Sequence, residues 1–297
     1  MKSSVFETTT HGKWILAGEH AVIRGCHALV FPLNTKVFHL KFEASGQYIR
    51  ADFNGTNSNE IKLIFWGVLE HALETLKVPM QKIVGKFVID NNIPLGVGLG
   101  ASAAICVAVS RWLSWQNLIE DADINSFSQN LENLFHSKSS GVDILGVTSS
   151  EGMLFRDNND IQSLQPKWQP HWILTYSGHR AITSDCVAKV MELINKDPNQ
   201  GNSIDAIMQE SVISCFEALQ MPEKEGLPLL TYGINQANLC FTKWGLIDTS
   251  LHAHIQQILV KGALAAKPTG SGDGGYVLSL WDRQPINLEI SYISLPI

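Results

Sequence analysis

The sequence has little charge, and no part of it carries a run of like charges. Only 17% of its 297 residues are Asp, Glu, Lys or Arg, and the formal net charge of -6 comes from dispersed acids and bases. Nucleic-acid-binding domains carry clustered Lys and Arg. We therefore expect no nucleic-acid partner, and any phosphate group must be bound locally. The 45% of hydrophobic residues is enough for a large core.

Cysteine and histidine motifs for metal ions are also missing. The five cysteines contain no Cys-x-x-Cys pair, and the ten histidines contain no His-Glu-x-x-His. Such spacings are what structural and catalytic zinc sites need. An odd number of scattered cysteines is typical of reduced, buried thiols. The sequence therefore predicts a cytoplasmic protein with no dedicated transition-metal site.

Long hydrophobic runs are absent as well. The first ten residues are mostly polar and hold no apolar core of the kind a signal peptide needs. The most apolar stretch, residues 93–113, is interrupted by Pro94, three glycines and Arg111. We expect neither an export signal nor a membrane partner.

Hydrophobic spacing predicts helices and strands throughout the chain. The predicted strands are residues 37–42, 83–90, 152–156, 171–176 and 276–280. The predicted helices are residues 60–76, 102–118, 124–135, 185–194, 204–219, 227–239 and 250–264. Because helices and strands mix without a regular βαβα alternation, the pattern indicates an α+β fold. Two prolines between residues 163 and 170 suggest a division near residue 165.

A glycine-rich turn precedes the predicted helix at 102–118. Residues 94–104 read Pro-Leu-Gly-Val-Gly-Leu-Gly-Ala-Ser-Ala-Ala. The first amides of a helix attract anions, and glycines let a phosphate approach the backbone. The spacing is neither that of a Walker A loop nor that of a dinucleotide-binding fingerprint. Taken alone, these residues are more often a plain structural turn with a capping serine, so the turn by itself is weak evidence of phosphate binding.

Three further segments are informative beside this turn. They are residues 12–25, 140–143 and 267–275. In this order, the four segments resemble the motif set of the GHMP kinases, the superfamily of galactokinase, homoserine kinase, mevalonate kinase and phosphomevalonate kinase. The stretch Gly18-Glu19-His20-Ala21-Val22 is most similar to the mevalonate kinases. Glu132, eleven positions before Asp143, matches the same family.

The resemblance implies an α+β GHMP kinase fold. Residues 1–165 would form the ATP-binding N-terminal domain, with a ribosomal protein S5 domain 2-like half that contains a left-handed βαβ unit. Residues 166–297 would form an α+β C-terminal domain. The implied activity is ATP-dependent phosphorylation of mevalonate in isoprenoid precursor synthesis, by a protein that could form a homodimer. Phosphomevalonate or another small molecule as the acceptor, and a non-catalytic kinase-like binding protein, are the alternatives.

The resemblance also assigns roles to individual residues. Asp143 would accept the proton of the substrate hydroxyl, and Lys13 beside it would stabilise the developing negative charge. Ser102 and Glu132 would be ligands of the Mg²⁺ that accompanies ATP. The ATP phosphates would contact Gly96, Gly98, Leu99, Gly100, Ala101, Ser102 and Ala103. The substrate would contact Glu19, His20, Thr183, Gly270 and Ser271.

Each of the main residues also has a purely structural interpretation. Asp143 could be a turn residue, and Lys13 a solvated lysine in a strand. Ser102 could be a helix cap, and Glu132 part of a solvated helix face. A lone histidine such as His20 is often a packed core residue.

Three positions depart from the family pattern. Ala101, Asp273 and Ser139 stand where serine, glycine and proline are usual. Because Ala101 has no hydroxyl, Ser102 carries the only side-chain hydroxyl of residues 94–104. Asp273 would repel phosphates unless it faces solvent or meets a cation such as Lys267. These departures are what motivates the non-catalytic alternative.

Overall fold

The computed structural model describes residues 4–135, 139–157, 160–285 and 288–295. The described residues form two compact units that alternate along the chain. Unit 1 comprises the described residues of Met1–Lys13, Pro32–Leu95 and Gly100–Thr148. Unit 2 comprises those of Trp14–Phe31, Gly96–Leu99 and Ser149–Ile297. These units do not test the predicted boundary between an N-terminal domain of residues 1–165 and a C-terminal domain of residues 166–297. That boundary stays a prediction.

Unit 1 is built on strands with helices between them. Its strands are β1 (Val5–Ala17) and β2 (Ala28–Glu43), which both continue into unit 2, with β3 (Ile49–Gly55) and β4 (Gly85–Asn91). Its helices are α1 (Ser58–Thr75), α2 (Ala101–Trp115), α3 (Ile124–Glu132) and α4 (Val142–Thr148). Strand β1 pairs with β2, β2 pairs antiparallel with β4, and β4 pairs parallel with β3. Because α1 connects the parallel pair, β3-α1-β4 is a βαβ unit.

An aromatic cluster forms the core of unit 1. Phe42 on β2, Phe65 on α1, Phe87 on β4 and Trp112 on α2 are all buried. The ring centroids of Phe42 and Phe87 are 4.6 Å apart, and those of Phe87 and Trp112 are 5.0 Å apart. Tilted and edge-on contacts at these distances stabilise beyond the area they bury. The cluster therefore fixes α1 and α2 against the strands. It also fixes the start of α2, which follows the glycine-rich turn.

Unit 2 contains the remaining elements. Its strands are β5 (Gly152–Asp157), β6 (Asp160–Leu164), β7 (His171–Tyr176), β8 (Ala265–Pro268), β9 (Tyr276–Trp281) and β10 (Tyr292–Leu295). Its helices are α5 (Thr183–Lys196), α6 (Pro198–Gln220), α7 (Glu223–Lys243) and α8 (Thr249–Val260). Strands β10, β7, β9 and β8 form a sheet in that order. The beginning of β2 pairs antiparallel with β5, and β5 with β6.

Two apolar contacts hold the chain segments of unit 2 together. Helix α8 packs on the four-stranded sheet, where Leu251 and Ile255 meet Ile173 and Val277. Trp14, on the part of β1 that belongs to unit 2, stacks on Phe31 at a centroid distance of 4.5 Å. The same Trp14 lies 5.3 Å from Trp172 of β7. The N-terminal segment is thus anchored to the sheet that carries the C-terminal glycine loop.

The five cysteines are free thiols, and four of them are buried. Burial raises the pKa of Cys215 and of Cys240 to about 12. This agrees with the prediction of reduced, buried thiols. In the described part of the chain, no helix is both long and apolar enough to cross a membrane.

Candidate active site

Helix α2 begins directly after the glycine-rich turn. Gly100 is its N-cap with φ 79°, and Ala104 donates the first helical hydrogen bond to Gly100 O at 2.9 Å. The amides of residues 101–103 precede that bond and therefore point out of the helix start. Leu99, Ala101 and Ala103 are buried, whereas Ser102 is half-buried. The turn can thus offer a ligand backbone amides and the Ser102 hydroxyl.

Lys13 and Asp143 form an ion pair beside this helix start. The distance between Lys13 Nζ and Asp143 Oδ1 is 2.7 Å, with Lys13 2% and Asp143 27% exposed. Strand β1 places the lysine, and the first turn of α4 places the carboxylate. A Cβ on Gly100 would lie 2.7 Å from Lys13 Cγ, so the stem of Lys13 packs directly against the turn. The interpretation of Lys13 as a solvated lysine is therefore wrong.

Glu132 is a buried carboxylate at the end of α3, not part of a solvated helix face. It is 1% exposed, and Ser139 Oγ donates to its Oε2 at 2.5 Å. Burial, followed by the negative charge of Asp143, raises the pKa of Glu132 to about 8, although the Ser139 hydrogen bond and the Lys13 charge act in the opposite direction. Glu132 is therefore within electrostatic range of both members of the ion pair.

The oxygen donors of unit 1 fit Mg²⁺ that arrives with a nucleotide. Ser102 and Glu132 supply hard oxygens from α2 and α3, two helices that pack together. Among the described residues, no group of three or more His, Cys, Asp and Glu side chains could hold a metal ion. Mg²⁺ usually binds one or two carboxylates together with substrate phosphates rather than a complete protein cage. Because burial disfavours the charged form of Glu132, a cation beside it would be stabilising.

In unit 2, the two glycine-rich loops touch each other through their backbones. A Cβ on Gly98 would lie 2.5 Å from Thr269 O, and a Cβ on Gly270 would lie 2.7 Å from Gly98 Cα. Both glycines have positive φ, 84° and 93°. Thr269 Oγ1 donates to Ile15 O and accepts from Ile15 N, both at 3.0 Å. Glycine at 98 and 270 is therefore a requirement of close approach.

Glu19 forms a buried ion pair with Lys267. The distance between Glu19 Oε1 and Lys267 Nζ is 2.5 Å, with side chains 2% and 0% exposed. Lys267 Nζ also donates to Ile15 O at 3.3 Å. Asp273 instead lies 3.9 Å from the ammonium group of Lys189.

His20 is a neutral imidazole that holds the C-terminal loop. Its Nε2 donates to Ser271 O at 2.9 Å, and its ring meets Phe241 and Trp244 edge-on. Burial lowers the pKa of His20 to about 4. Thr183, the first residue of α5, donates from Oγ1 to Ser271 Oγ at 3.5 Å. His20 and Thr183 thus both contact the loop residue Ser271.

The structure assigns the expected site residues to both units. Lys13, Ser102, Glu132 and Asp143, with Gly100, Ala101 and Ala103, belong to unit 1. Gly96, Gly98, Leu99, Glu19, His20, Thr183, Gly270 and Ser271 belong to unit 2. Two interactions were not foreseen from the sequence. These are the pairing of Glu19 with Lys267, 248 positions apart, and the hydrogen bond from Ser139 to Glu132.

The chain is similar to known proteins in sequence and in fold. Residues 64–150 match the family model described as the GHMP kinases N terminal domain. Mevalonate kinase of Pyrococcus horikoshii is 26% identical in an alignment that covers 90% of this chain and 86% of that protein. The crystal structure of L. major mevalonate kinase in complex with R-mevalonate superposes with a TM-score of 0.78 and 24% identity, over 95% of this chain and 90% of that one. The chain is thus similar to GHMP kinases along most of its length, and among these to mevalonate kinases.

These likenesses show the fold and indicate the class of protein. The chain has the α+β GHMP kinase fold, and its similarity to mevalonate kinases indicates an ATP-dependent kinase. Streptococcus pneumoniae phosphomevalonate kinase, in complex with phosphomevalonate and AMPPNP, also superposes, with a TM-score of 0.73 and 17% identity over 98% of this chain and 100% of that one. At that identity the likeness concerns the fold alone.

Replacing Gly98 by alanine will separate the two glycine loops. The added Cβ cannot remain 2.5 Å from Thr269 O, so the backbone of one loop must move. We expect a lower Tm and at least about tenfold lower kinase turnover, since a displacement near 1 Å at a phosphotransfer site costs about a hundredfold. Gly46→Ala is the matched control, with φ 95° and nothing within 4 Å. It incurs only the backbone strain of about 1–2 kcal/mol. Equal effects of the two substitutions would contradict the role of close approach.

The neutral state of His20 makes the kinase less stable in acid. Its folded pKa lies below the unfolded value, so its contribution to stability is complete above pH 6.5 and is lost as the pH falls towards 4. Between pH 7.5 and 4.5, we expect the free energy of unfolding to fall by about 2–3 kcal/mol more in the wild type than in His20→Asn. Urea unfolding at both pH values measures this difference. Parallel pH dependences would show that His20 does not titrate in this way.

Proposed function

We propose that this kinase transfers the γ-phosphoryl group of ATP to the 5-hydroxyl of mevalonate, giving 5-phosphomevalonate. The observation that carries the proposal is the ion pair between Lys13 and Asp143, packed against the start of α2. A base, a cation and an anion-binding helix start are the protein groups that phosphoryl transfer to an alcohol needs.

Asp143 acts as the base in the proposed reaction. One oxygen of its half-exposed carboxylate accepts the proton of the attacking hydroxyl. The hydroxyl oxygen then bonds to the γ-phosphorus while the bond from that phosphorus to the bridging oxygen breaks, and ADP leaves. Lys13, held 2.7 Å from Asp143, stabilises the negative charge on the attacking oxygen.

The start of α2 and the turn before it bind the phosphates. The amides of residues 101–103 point out of the helix and favour negative charge, as does the helix dipole. Gly96, Gly98, Leu99 and Gly100 bring the backbone into position. Ser102 and Glu132 hold the Mg²⁺, which neutralises charge on the triphosphate when bound. Ala101, which stands where serine is usual, still supplies a backbone amide as the first residue of α2.

Two observations support mevalonate as the acceptor. They are the similarity of the chain to mevalonate kinases and the buried ion pair of unit 2. Mevalonate kinases align with about nine-tenths of this chain, as in Pyrococcus horikoshii. An acceptor that already carries a phosphate needs extra cationic side chains, but Lys267 is fully buried and occupied by Glu19. Lys267 is therefore not available to bind the phosphate of phosphomevalonate.

The remaining assignments belong to the same proposal. His20 and Thr183 help to bind the acceptor together with the loop residues Gly270 and Ser271, and Glu19 acts through its buried pair with Lys267, which precedes that loop. His20 already donates from Nε2 to Ser271 O, so it acts chiefly by orienting that loop. We place the reaction in the cytoplasm, as a step of isoprenoid precursor synthesis, and a homodimer remains a prediction that analytical ultracentrifugation can check.

Removal of either member of the ion pair should abolish most of the activity. We expect Asp143→Asn and Lys13→Met each to lower turnover by roughly a hundredfold or more, the scale of losing a general base. Asp52→Asn is the matched control, because Asp52 also pairs with a lysine, Lys86, but on an exposed surface. Steady-state ADP release measures turnover, and circular dichroism checks folding. A folded Asp143→Asn protein with near-normal turnover would refute the role of Asp143.

An acceptor panel decides the substrate. ADP release from Mg·ATP is measured with mevalonate, phosphomevalonate, homoserine and galactose, each at the same concentrations. We expect kcat/KM for mevalonate to exceed that for every other acceptor by at least about a hundredfold, since polar sites discriminate strongly against mismatched groups. A preference for phosphomevalonate would replace the proposed acceptor and retain the kinase chemistry.

A further inference from the structure

Ser139 lies between the proposed metal ligand and the helix that carries the proposed base. Its side chain is 7% exposed. The hydroxyl donates to Glu132 Oε2 at 2.5 Å and accepts from the amide of Gly141 at 3.1 Å. Gly141 immediately precedes α4, whose first turn holds Asp143. One hydroxyl thus contacts both the end of α3 and the approach to α4.

The backbone of Ser139 is itself held by α3 and its C-cap. The amide of Ser139 donates to Asn133 Oδ1 at 2.8 Å, and Gln129 Nε2 donates to Ser139 O at 3.0 Å. Gln129 and Asn133 lie on either side of Glu132 in the sequence. The residues that flank Glu132 therefore position the serine that contacts it, and the hydroxyl has a defined place from which to orient the carboxylate.

We propose that Ser139 is a positioning residue that sets the orientation of the Glu132 carboxylate for Mg²⁺ and couples it to the start of α4. The inference rests on the proposed function, because it takes Glu132 as the Mg²⁺ ligand. A carboxylate has about four acceptor directions on its two oxygens, so one hydrogen bond at Oε2 is compatible with metal binding. Partners that orient a ligand in this way typically change metal affinity by 10- to 100-fold.

Direct metal binding tests this role without relying on turnover. The dissociation constant of Mn²⁺ is measured by electron paramagnetic resonance on the full chain with saturating AMPPNP. We expect Ser139→Ala to raise it by about tenfold or more, because the carboxylate loses its orienting hydrogen bond. Ser139→Thr keeps the hydroxyl, and we expect it to stay within about threefold of the wild type.

Ser140→Ala separates metal positioning from helix capping. Ser140 Oγ accepts from the amide of Val142 at 3.3 Å, at the same helix start. Its loss should lower the Tm and leave the Mn²⁺ dissociation constant unchanged. If Ser140→Ala weakened Mn²⁺ binding as much as Ser139→Ala does, a general loosening of α4 would explain both, and the inference would be overturned.

The outcomes for Ser139 and for the proposed function are distinguishable. Wild-type Mn²⁺ affinity in Ser139→Ala would overturn the inference while the kinase reaction stands. Weaker Mn²⁺ binding in Ser139→Ala, restored in Ser139→Thr, would support the inference even if no acceptor in the panel were phosphorylated. Absence of Mn²⁺ binding to the wild type in the presence of AMPPNP would overturn both.

Discussion

The ion pair between Lys13 and Asp143 is the interaction on which the arrangement of unit 1 depends. A lysine that is 2% exposed cannot remain charged inside a protein without a partner, and the Asp143 carboxylate at 2.7 Å supplies one. The same lysine packs against Gly100, so a single side chain relates strand β1, the start of α2 and the start of α4. Its charge also favours the ionised form of the buried Glu132.

In unit 2, close contact between the backbones of two glycine-rich loops has the role that the ion pair has in unit 1. The loops at 98 and 270 approach each other so closely that neither position has room for a side chain. The buried pair of Glu19 and Lys267, and the hydrogen bond from His20 to Ser271 O, fix the chain on both sides of the second loop. Loops held in this way can present amides to a ligand with little reorganisation, which is how electrostatic preorganisation favours a transition state.

Hydrophobic spacing was enough to predict most helices, because their buried faces follow the helical period. The helix predicted at 60–76 is α1, Ser58–Thr75, and the strand predicted at 171–176 is β7. Strand β1 was not among the predicted strands because its second half is buried on both faces and includes Lys13, so it lacks the apolar alternation of a half-buried strand. The motifs indicated the resemblance to GHMP kinases that the comparisons support. Side-chain pairing across long separations, as between Glu19 and Lys267, depends on tertiary structure that local patterns do not encode.

The burial of the cysteines limits their reaction with oxidants and thiol reagents. Thiolates are the reactive form of cysteine, and burial that raises the pKa of Cys215 and Cys240 to about 12 keeps both protonated at neutral pH. Cys26 is the partly accessible thiol of the five. Alkylation of more than one cysteine per chain therefore requires the packed interior to open. The number of alkylated cysteines thus reports local unfolding.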